Sequence, residues 1–204
     1  MLASRKSGVE PVEQYDTALE IMRAMSMPYR PKDDLIAGRL EDLVERIQPI
    51  ESVPAQAPKV DALLGSADVP DIKVSGLPAI IEEMKAGTLK STNPRQRRQW
   101  RDRYSRASKL FVNLFGDLSV YAITGRSVIS YTTHMQDKCD SGEVTSNCAR
   151  KYVQYMRQMI DAYFTRFEVP KGRRSTPFEN TPLRSRLGRS PSKSCPSRTH
   201  GSDG

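Results

Sequence analysis

A run of cations with few acids among them lies between Ser91 and Asp117. On an α-helix, which turns about 100° per residue, these cations share one face, with one member at its border. Guanidinium and ammonium groups held in a row on a rigid rod match the spaced phosphates of a nucleic acid backbone. We therefore predict phosphate binding by the four residues on the face and the one at its border: Arg95, Arg98, Arg106, Lys109 and Arg101.

An amphipathic helix would position these cations. Thr92 or Asn93 can cap it, Pro94 suits its first turn, and Gly116 can end it. Within those limits the apolar residues recur at intervals of mostly three and four, which predicts one buried stripe: Trp100, Tyr104, Ala107, Phe111, Leu114 and Phe115. The competing interpretation is a charged face that is simply solvated. The scarcity of acids, which would otherwise pair with the cations, favours phosphate binding.

A second candidate site opens the last long helix predicted, Val144 to Phe167. A helix N-terminus offers free amide donors and a positive dipole to an anion. Simple capping explains the first two hydroxyl residues equally well. It does not explain the two cations, which the dipole disfavours there unless an anion is bound. The residues predicted to contact phosphates or base edges are Thr145, Ser146, Asn147, Arg150 and Lys151.

Charge is divided unevenly along the chain of 204 residues, whose net charge is +8. From Met1 to Leu89 there are 10 Lys/Arg and 15 Asp/Glu, and from Lys90 to Gly204 there are 22 and 9. The basic second part indicates a polyanionic partner.

Catalytic and metal-binding patterns are not found. The two histidines, His134 and His200, are far apart in sequence, and the three cysteines lack the pairing of a metal site. No glycine-rich phosphate loop or nucleophile elbow is present. We expect no cofactor and no metal. The apolar runs are too short to cross a membrane, and the N-terminus lacks a secretory signal, so we expect no membrane association and a cytoplasmic protein.

The fold class predicted is all-α. Residues 1–50 would form a small helical hairpin, with helices over about 11–27 and 32–47, which could serve for packing or self-association. Residues 51–73, with three prolines, would form a linker. Residues 74–170 would form a domain of four helices, and the basic residues 171–204 a disordered tail.

The order of segments in the second domain resembles a known family. KSTNPRQRRQWRDRYSRASKLFVNLFGD is followed by VYAITGRSVISYTTHM, then by GEVTSNCARKYVQYMRQMIDAYFTRF and TPFENTPL. This succession resembles the N-terminal core-binding (SAM-like) domain of tyrosine recombinases, the phage integrase family, over about Val74 to Leu183. The resemblance implies a four-helix domain that forms half of a clamp around double-stranded DNA in DNA integration and recombination. It also implies a bacterial or phage protein associated with the nucleoid.

In that family a catalytic domain follows, with an Arg, a Lys, a His-x-x-Arg motif and a Tyr nucleophile. After Leu183 none of these motifs can be located. We therefore expect no enzymatic activity from this chain and interpret the tail as the truncated or frame-shifted start of a catalytic domain.

Two other functions remain open. The acidic hairpin and the methionine-rich stripes would suit a helical protein–protein adaptor. The Arg/Ser tail, RSRLGRSPSKS, would suit an RNA-binding protein.

Overall fold

The computed structural model describes residues 11–51, 57–175 and 177–178. Within them the chain is helical, and the prediction of an all-α fold is confirmed. The only β-type pairing in this part of the chain is an isolated bridge between Lys73 and Ser119. The chain divides into two compact units, Met1–Pro70 (unit 1) and Asp71–Gly204 (unit 2).

Unit 1 contains α1 (Pro11–Ala24), α2 (Lys32–Ile36), α3 (Leu40–Glu51) and α4 (Ala57–Leu63). Helix α1 packs against α4. It buries one stripe, Tyr15, Ala18, Leu19 and Met22, as its spacing predicts. The Tyr15 ring meets Tyr29 edge to face, with 5.1 Å between centroids. The described part of unit 1 is thus built around α1.

The second helix predicted for the hairpin, residues 32–47, is interrupted. Helix α2 ends at Ile36, and α3 begins at Leu40 beyond a turn at Gly38. The hairpin prediction is wrong in this respect, because the apolar residues of 35–47 do not face one core. Leu35 is buried in unit 1, whereas Leu40 and Val44 are exposed.

Helix α3 is held in unit 1 by a buried arginine. Arg46 is 5% exposed. Its guanidinium donates hydrogen bonds to the carbonyl oxygens of Pro28 (2.6 Å) and Leu63 (3.3 Å). Two carbonyl groups outside any helix interior are thereby satisfied, as buried polar groups must be.

The predicted linker, 51–73, is structured where it is described. Helix α4 occupies its middle, and Ala62 and Leu63 are buried. Gly65 follows with a φ of +66°, and its carbonyl accepts a hydrogen bond from the Lys32 amide (2.9 Å). A Cβ at this position would overlap the Arg30 carbonyl oxygen, so glycine is required. Residues 52–56 lie outside the described residues.

Unit 2 contains α5 (Leu77–Met84), α6 (Ala86–Lys90), α7 (Pro94–Phe115), α8 (Gly125–Asp140) and α9 (Ser146–Arg166). Single 3-10 turns lie at Val74–Gly76, Val120–Ala122 and Lys171–Arg173. Helix α9 packs against α5, α7 and α8. The core of the unit consists largely of aromatic and methionine side chains from α7, α8 and α9, among them Phe111, Tyr131, Met135, Met156, Met159 and Tyr163.

Four helices of this domain were predicted, and each is present as α5, α7, α8 and α9. The described residues also contain the short helix α6, which begins two residues after the end of α5 and was not predicted.

The predicted tail begins as packed structure. Arg174 donates a hydrogen bond to the Val169 carbonyl (2.8 Å). Phe178 is buried against Phe111 and Tyr131, with ring centroids 6.4 and 6.2 Å away. The expectation of disorder is therefore wrong for these first residues, because an aromatic side chain anchors them. Residue 176 and residues 179–204 lie outside the described residues.

Candidate nucleic-acid interface

The local sequence of α7 accounts for both of its ends. The Asn93 side chain accepts a hydrogen bond from the Gln96 amide (2.8 Å), and Pro94 is the first helical residue. Gly116, with a φ of +79°, ends the helix. The predicted cap, start and end are confirmed.

Helix α7 turns its apolar stripe inward. Tyr104, Ala107 and Phe111 are buried, together with Ser108, whose hydroxyl donates to the Val74 carbonyl (2.8 Å). All five predicted cations of α7 are exposed. Three residues of the predicted stripe are less buried than expected: Leu114 is 37% exposed, and Trp100 and Phe115 are half-buried. The middle of the stripe packs in the core, and the cationic face is exposed to solvent.

Three cations of this outer face are unpaired. The side chains of Arg95, Arg98 and Lys109 form no hydrogen bond or ion pair with any residue that the structure describes. Arg95 and Lys109 are about 21 Å apart along the axis, at a rise of about 1.5 Å per residue. That length corresponds to about six base pairs of B-form DNA. The row is long enough to meet several successive phosphates.

The other two predicted cations of α7 have partners. The Arg101 guanidinium forms an ion pair with Glu82 of α5, with Nε 2.6 Å from Oε1. Hydrogen bonding to Glu82 raises the pKa of Arg101. Arg106 donates from Nε to the Asp102 carbonyl, one turn earlier (3.0 Å). Arg101, at the border of the face, therefore serves the contact between α5 and α7, and a phosphate would have to compete with Glu82 for it.

The acids of α5 are engaged by cations from both long helices. Glu82 pairs with Arg101 of α7, and Glu83 with Arg166 of α9 at 2.9 Å. Neither carboxylate pairs with Arg95, Arg98 or Lys109 of the outer face of α7. On that face Asp102 is exposed between Arg98 and Arg106 and is the acid that opposes phosphate binding.

One of the residues predicted to bind DNA at the start of α9 has a structural role there. The Thr145 hydroxyl accepts a hydrogen bond from the Cys148 amide (3.2 Å), so Thr145 is the N-cap, as the simpler interpretation held. Ser146 is half-buried at the first helical position, and Asn147 is exposed. Arg150 and Lys151 are exposed and form no hydrogen bond or ion pair within the described ranges.

The middle of α7 packs on α8 and α9 through aromatic and amide side chains. The Tyr104 hydroxyl donates to Gln158 of α9 (2.8 Å). About two turns later on α7, Phe111 packs on Tyr131 of α8 (5.6 Å between centroids). Burial raises the pKa of Tyr131, and the neighbouring Tyr152 of α9 adds to this. These contacts set the buried face of α7 and leave the predicted cations on the outside.

The predicted residues lie on two helices of the same unit. Arg95, Arg98 and Lys109 are exposed on α7, and Arg150 and Lys151 are exposed in the first turns of α9. Helices α7 and α9 pack against each other.

Two residues that line a groove beside α7 were not predicted as candidates. Lys85 and Arg103 are exposed cations on the wall of a groove between α6 and α7. No sequence pattern indicated this groove, since α6 was not predicted and Arg103 lies outside the face of α7 predicted to bind phosphates. Trp100, predicted to be core, is half-buried and lines the same groove.

None of the helices described has the length and apolar character needed to cross a membrane. Comparisons with protein-family models, curated proteins and solved structures yield no match for this chain.

Proposed function

We propose that unit 2 binds double-stranded DNA, chiefly through its phosphates, by the outer face of α7 and the first turns of α9. One observation carries the proposal: five exposed cations, whose side chains have no partner among the described residues, lie on two helices that pack against each other, Arg95, Arg98, Lys109, Arg150 and Lys151. Because these side chains have no partner among the described residues, a DNA phosphate can bind them without displacing a carboxylate.

The helical resemblance noted in the sequence gives this binding a context. A core-binding domain of the tyrosine recombinase family would grip duplex DNA in this manner during integration or recombination. The function proposed for this chain is binding alone, in a bacterial or phage-infected cytoplasm. An all-α unit with a basic helix face is compatible with that role. The proposal is supported by the five cations whose side chains have no partner among the described residues.

The salt dependence of binding tests the proposal. Affinity for a random duplex should fall with a log–log slope of about −0.9 per phosphate neutralised, or about −4.5 for five contacts. The double variant Arg98→Glu/Lys109→Glu should abolish most binding while retaining the helical circular dichroism, because both side chains face away from the core. Arg39→Glu, which changes an exposed cation of unit 1, is the matched control. Duplex binding that is independent of salt, or unaffected by the double variant, would refute the proposal.

A second candidate function is supported by the surface of α3. Leu40, Val44 and Ile47 are 71%, 48% and 44% exposed and lie on one side of the helix. Such a stripe suits self-association or an adaptor role for unit 1. The methionine-rich stripes contribute nothing to it, since Met22, Met156 and Met159 are buried. Light scattering of the full chain and of Leu40→Ser/Val44→Ser tests this function: a monomer in both cases argues against self-association.

A further inference from the structure

The groove between α6 and α7 differs chemically from the rest of unit 2. Its volume is about 430 Å³, within the range of roughly 300–1,000 Å³ typical of small-ligand sites. The described side chains that line it are neutral or cationic, and none is acidic. The neighbouring groove between α5 and α7, in contrast, contains an acid, Glu82, which pairs with Arg101, and one further cation, Lys109. The α6–α7 groove, with two cations and no acid among its described lining residues, is the better suited of the two to an anion.

Trp100 supplies the groove with a fixed aromatic surface. Its ring packs on Tyr104 with 4.4 Å between centroids, and Tyr104 packs on Tyr155 of α9 at 4.9 Å. The three rings form a row in which Tyr104 is the middle member, and the hydrogen bond from its hydroxyl to Gln158 fixes its position. Trp100 is its outer member and remains half-exposed. A tryptophan held in this way offers a stacking surface for a planar ring at a low cost in side-chain entropy.

Cations stand on both walls of the groove. Lys85 precedes α6, and Arg103 lies on α7 one turn after Gln99. Both side chains are exposed, and within the described part of the chain neither makes a hydrogen bond or an ion pair. Arg103 is near the aromatic row, since its charge counteracts the increase in the pKa of Tyr104 that burial causes. Gln96 and Gln99 add exposed amides to the α7 wall.

We infer that this groove binds an unpaired nucleotide, with the base stacked on Trp100 and the phosphate held by Lys85 and Arg103. Exposed amides of Gln96 and Gln99 are available to the base edge. The site is distinct from the duplex-binding face, because Arg103 is turned about 140° from Arg98 around the axis of α7. The same chemistry fits a nucleotide within an unpaired strand and a free nucleotide.

Fluorescence measures this binding directly, because Trp100 is the only tryptophan of the chain. The full chain is titrated with a short oligothymidylate and, separately, with thymidine monophosphate at low salt. Saturable quenching of Trp100 is expected with the oligonucleotide. Quenching by thymidine monophosphate as well assigns the site to free nucleotides, and quenching by the oligonucleotide alone assigns it to unpaired strands.

Two double variants separate this site from the duplex site. Lys85→Gln/Arg103→Gln should raise the Kd measured by quenching about tenfold or more, since two charge-assisted contacts are lost. Arg98→Glu/Lys109→Glu should lose duplex binding, measured by anisotropy of a labelled duplex, and keep the quenching. All four side chains are exposed, so circular dichroism should remain that of the wild type. The inference is overturned if neither probe quenches Trp100, or if Lys85→Gln/Arg103→Gln is quenched as the wild type is.

Discussion

Helix α3 of unit 1 and helix α7 of unit 2 use their two faces in opposite ways. Helix α7 buries Phe111 completely and exposes Arg98. Helix α3 buries Arg46 and leaves Leu40 71% exposed. Both sequences are amphipathic, so periodicity alone predicts the same arrangement for both. The difference shows that a pattern identifies two faces of a helix, whereas the packing of its own unit decides which one is buried.

The physical reason lies in what each helix meets. Helix α7 meets α9 and α8, whose aromatic side chains provide an apolar surface for Phe111. Helix α3 lies beside the carbonyl groups of Pro28 and Leu63, which need a donor. An arginine has a long apolar stem and five N–H groups, so it satisfies both carbonyls while filling space.

The largest effect is expected from truncating an apolar residue on each helix. Phe111→Ala should lower the free energy of unfolding of unit 2 by about 4 kcal/mol, because a fully buried ring is lost from the core. Leu40→Ala, on the exposed face of α3, should change that of unit 1 by less than about 0.5 kcal/mol. Urea denaturation followed by Trp100 fluorescence reports unit 2, and hydrogen exchange of the α1 amides reports unit 1. Equal costs for the two variants would contradict the opposite orientation of the helices.

An intermediate effect is expected from removing a cation on each helix. Arg46→Met keeps most of the apolar stem but leaves the Pro28 and Leu63 carbonyls without their donor. It should destabilise unit 1 by about 3 kcal/mol. Arg98→Met, at a solvated position of α7, should leave the stability of unit 2 within about 0.5 kcal/mol. Hydrogen exchange of the α1 and α4 amides measures the first effect. Protection that Arg46→Met leaves unchanged would mean that this arginine does not hold α3 in place.

Prediction from sequence succeeded where an apolar stripe was bounded by recognisable signals for the start and the end of a helix. The apolar stripe of α7 lies between Asn93, whose side chain caps the helix, and Gly116, whose positive φ ends it. Thr124 caps α8 by the same local means, since its hydroxyl accepts a hydrogen bond from the Ser127 amide (3.2 Å). Such local signals need no tertiary information, so the helices that carry the candidate site were predictable.

What could not be predicted depends on contacts distant in sequence. The pairing of Arg101 with Glu82 needs the packing of α7 against α5. The burial of Arg46 needs the carbonyls of Pro28 and Leu63 to come together. The groove beside Trp100 needs α6, a five-residue helix too short to show a period. Sequence therefore identified which cations share a face and could not tell which of them have partners.

The smallest effect concerns the junction at the end of α7. The Asp117 carboxylate accepts hydrogen bonds from the Ser75 hydroxyl (2.7 Å) and the Ser75 amide (2.9 Å), which lower its pKa. A lowered pKa means that the stability from this group is present above the pKa of the unfolded chain and is lost as pH falls through that of the folded state. Asp117→Asn should therefore flatten the acid limb of the stability of unit 2, measured by urea denaturation from neutral pH downward.

Asp102→Asn is the matched control for this last effect, since Asp102 is an exposed acid of α7, the helix that precedes Asp117, and its carboxylate has no hydrogen-bond donor within the described residues. It should leave the acid limb as steep as in the wild type. Unit 1 offers the corresponding contrast, because there Asp42 pairs with Arg30 at 2.6 Å, whereas Asp117 is held by an uncharged partner. Added salt should screen the ionic pair and leave the Asp117 contribution nearly unchanged. If Asp117→Asn leaves the pH dependence of the free energy of unfolding of unit 2 unchanged below neutral pH, the contact with Ser75 does not couple stability to pH.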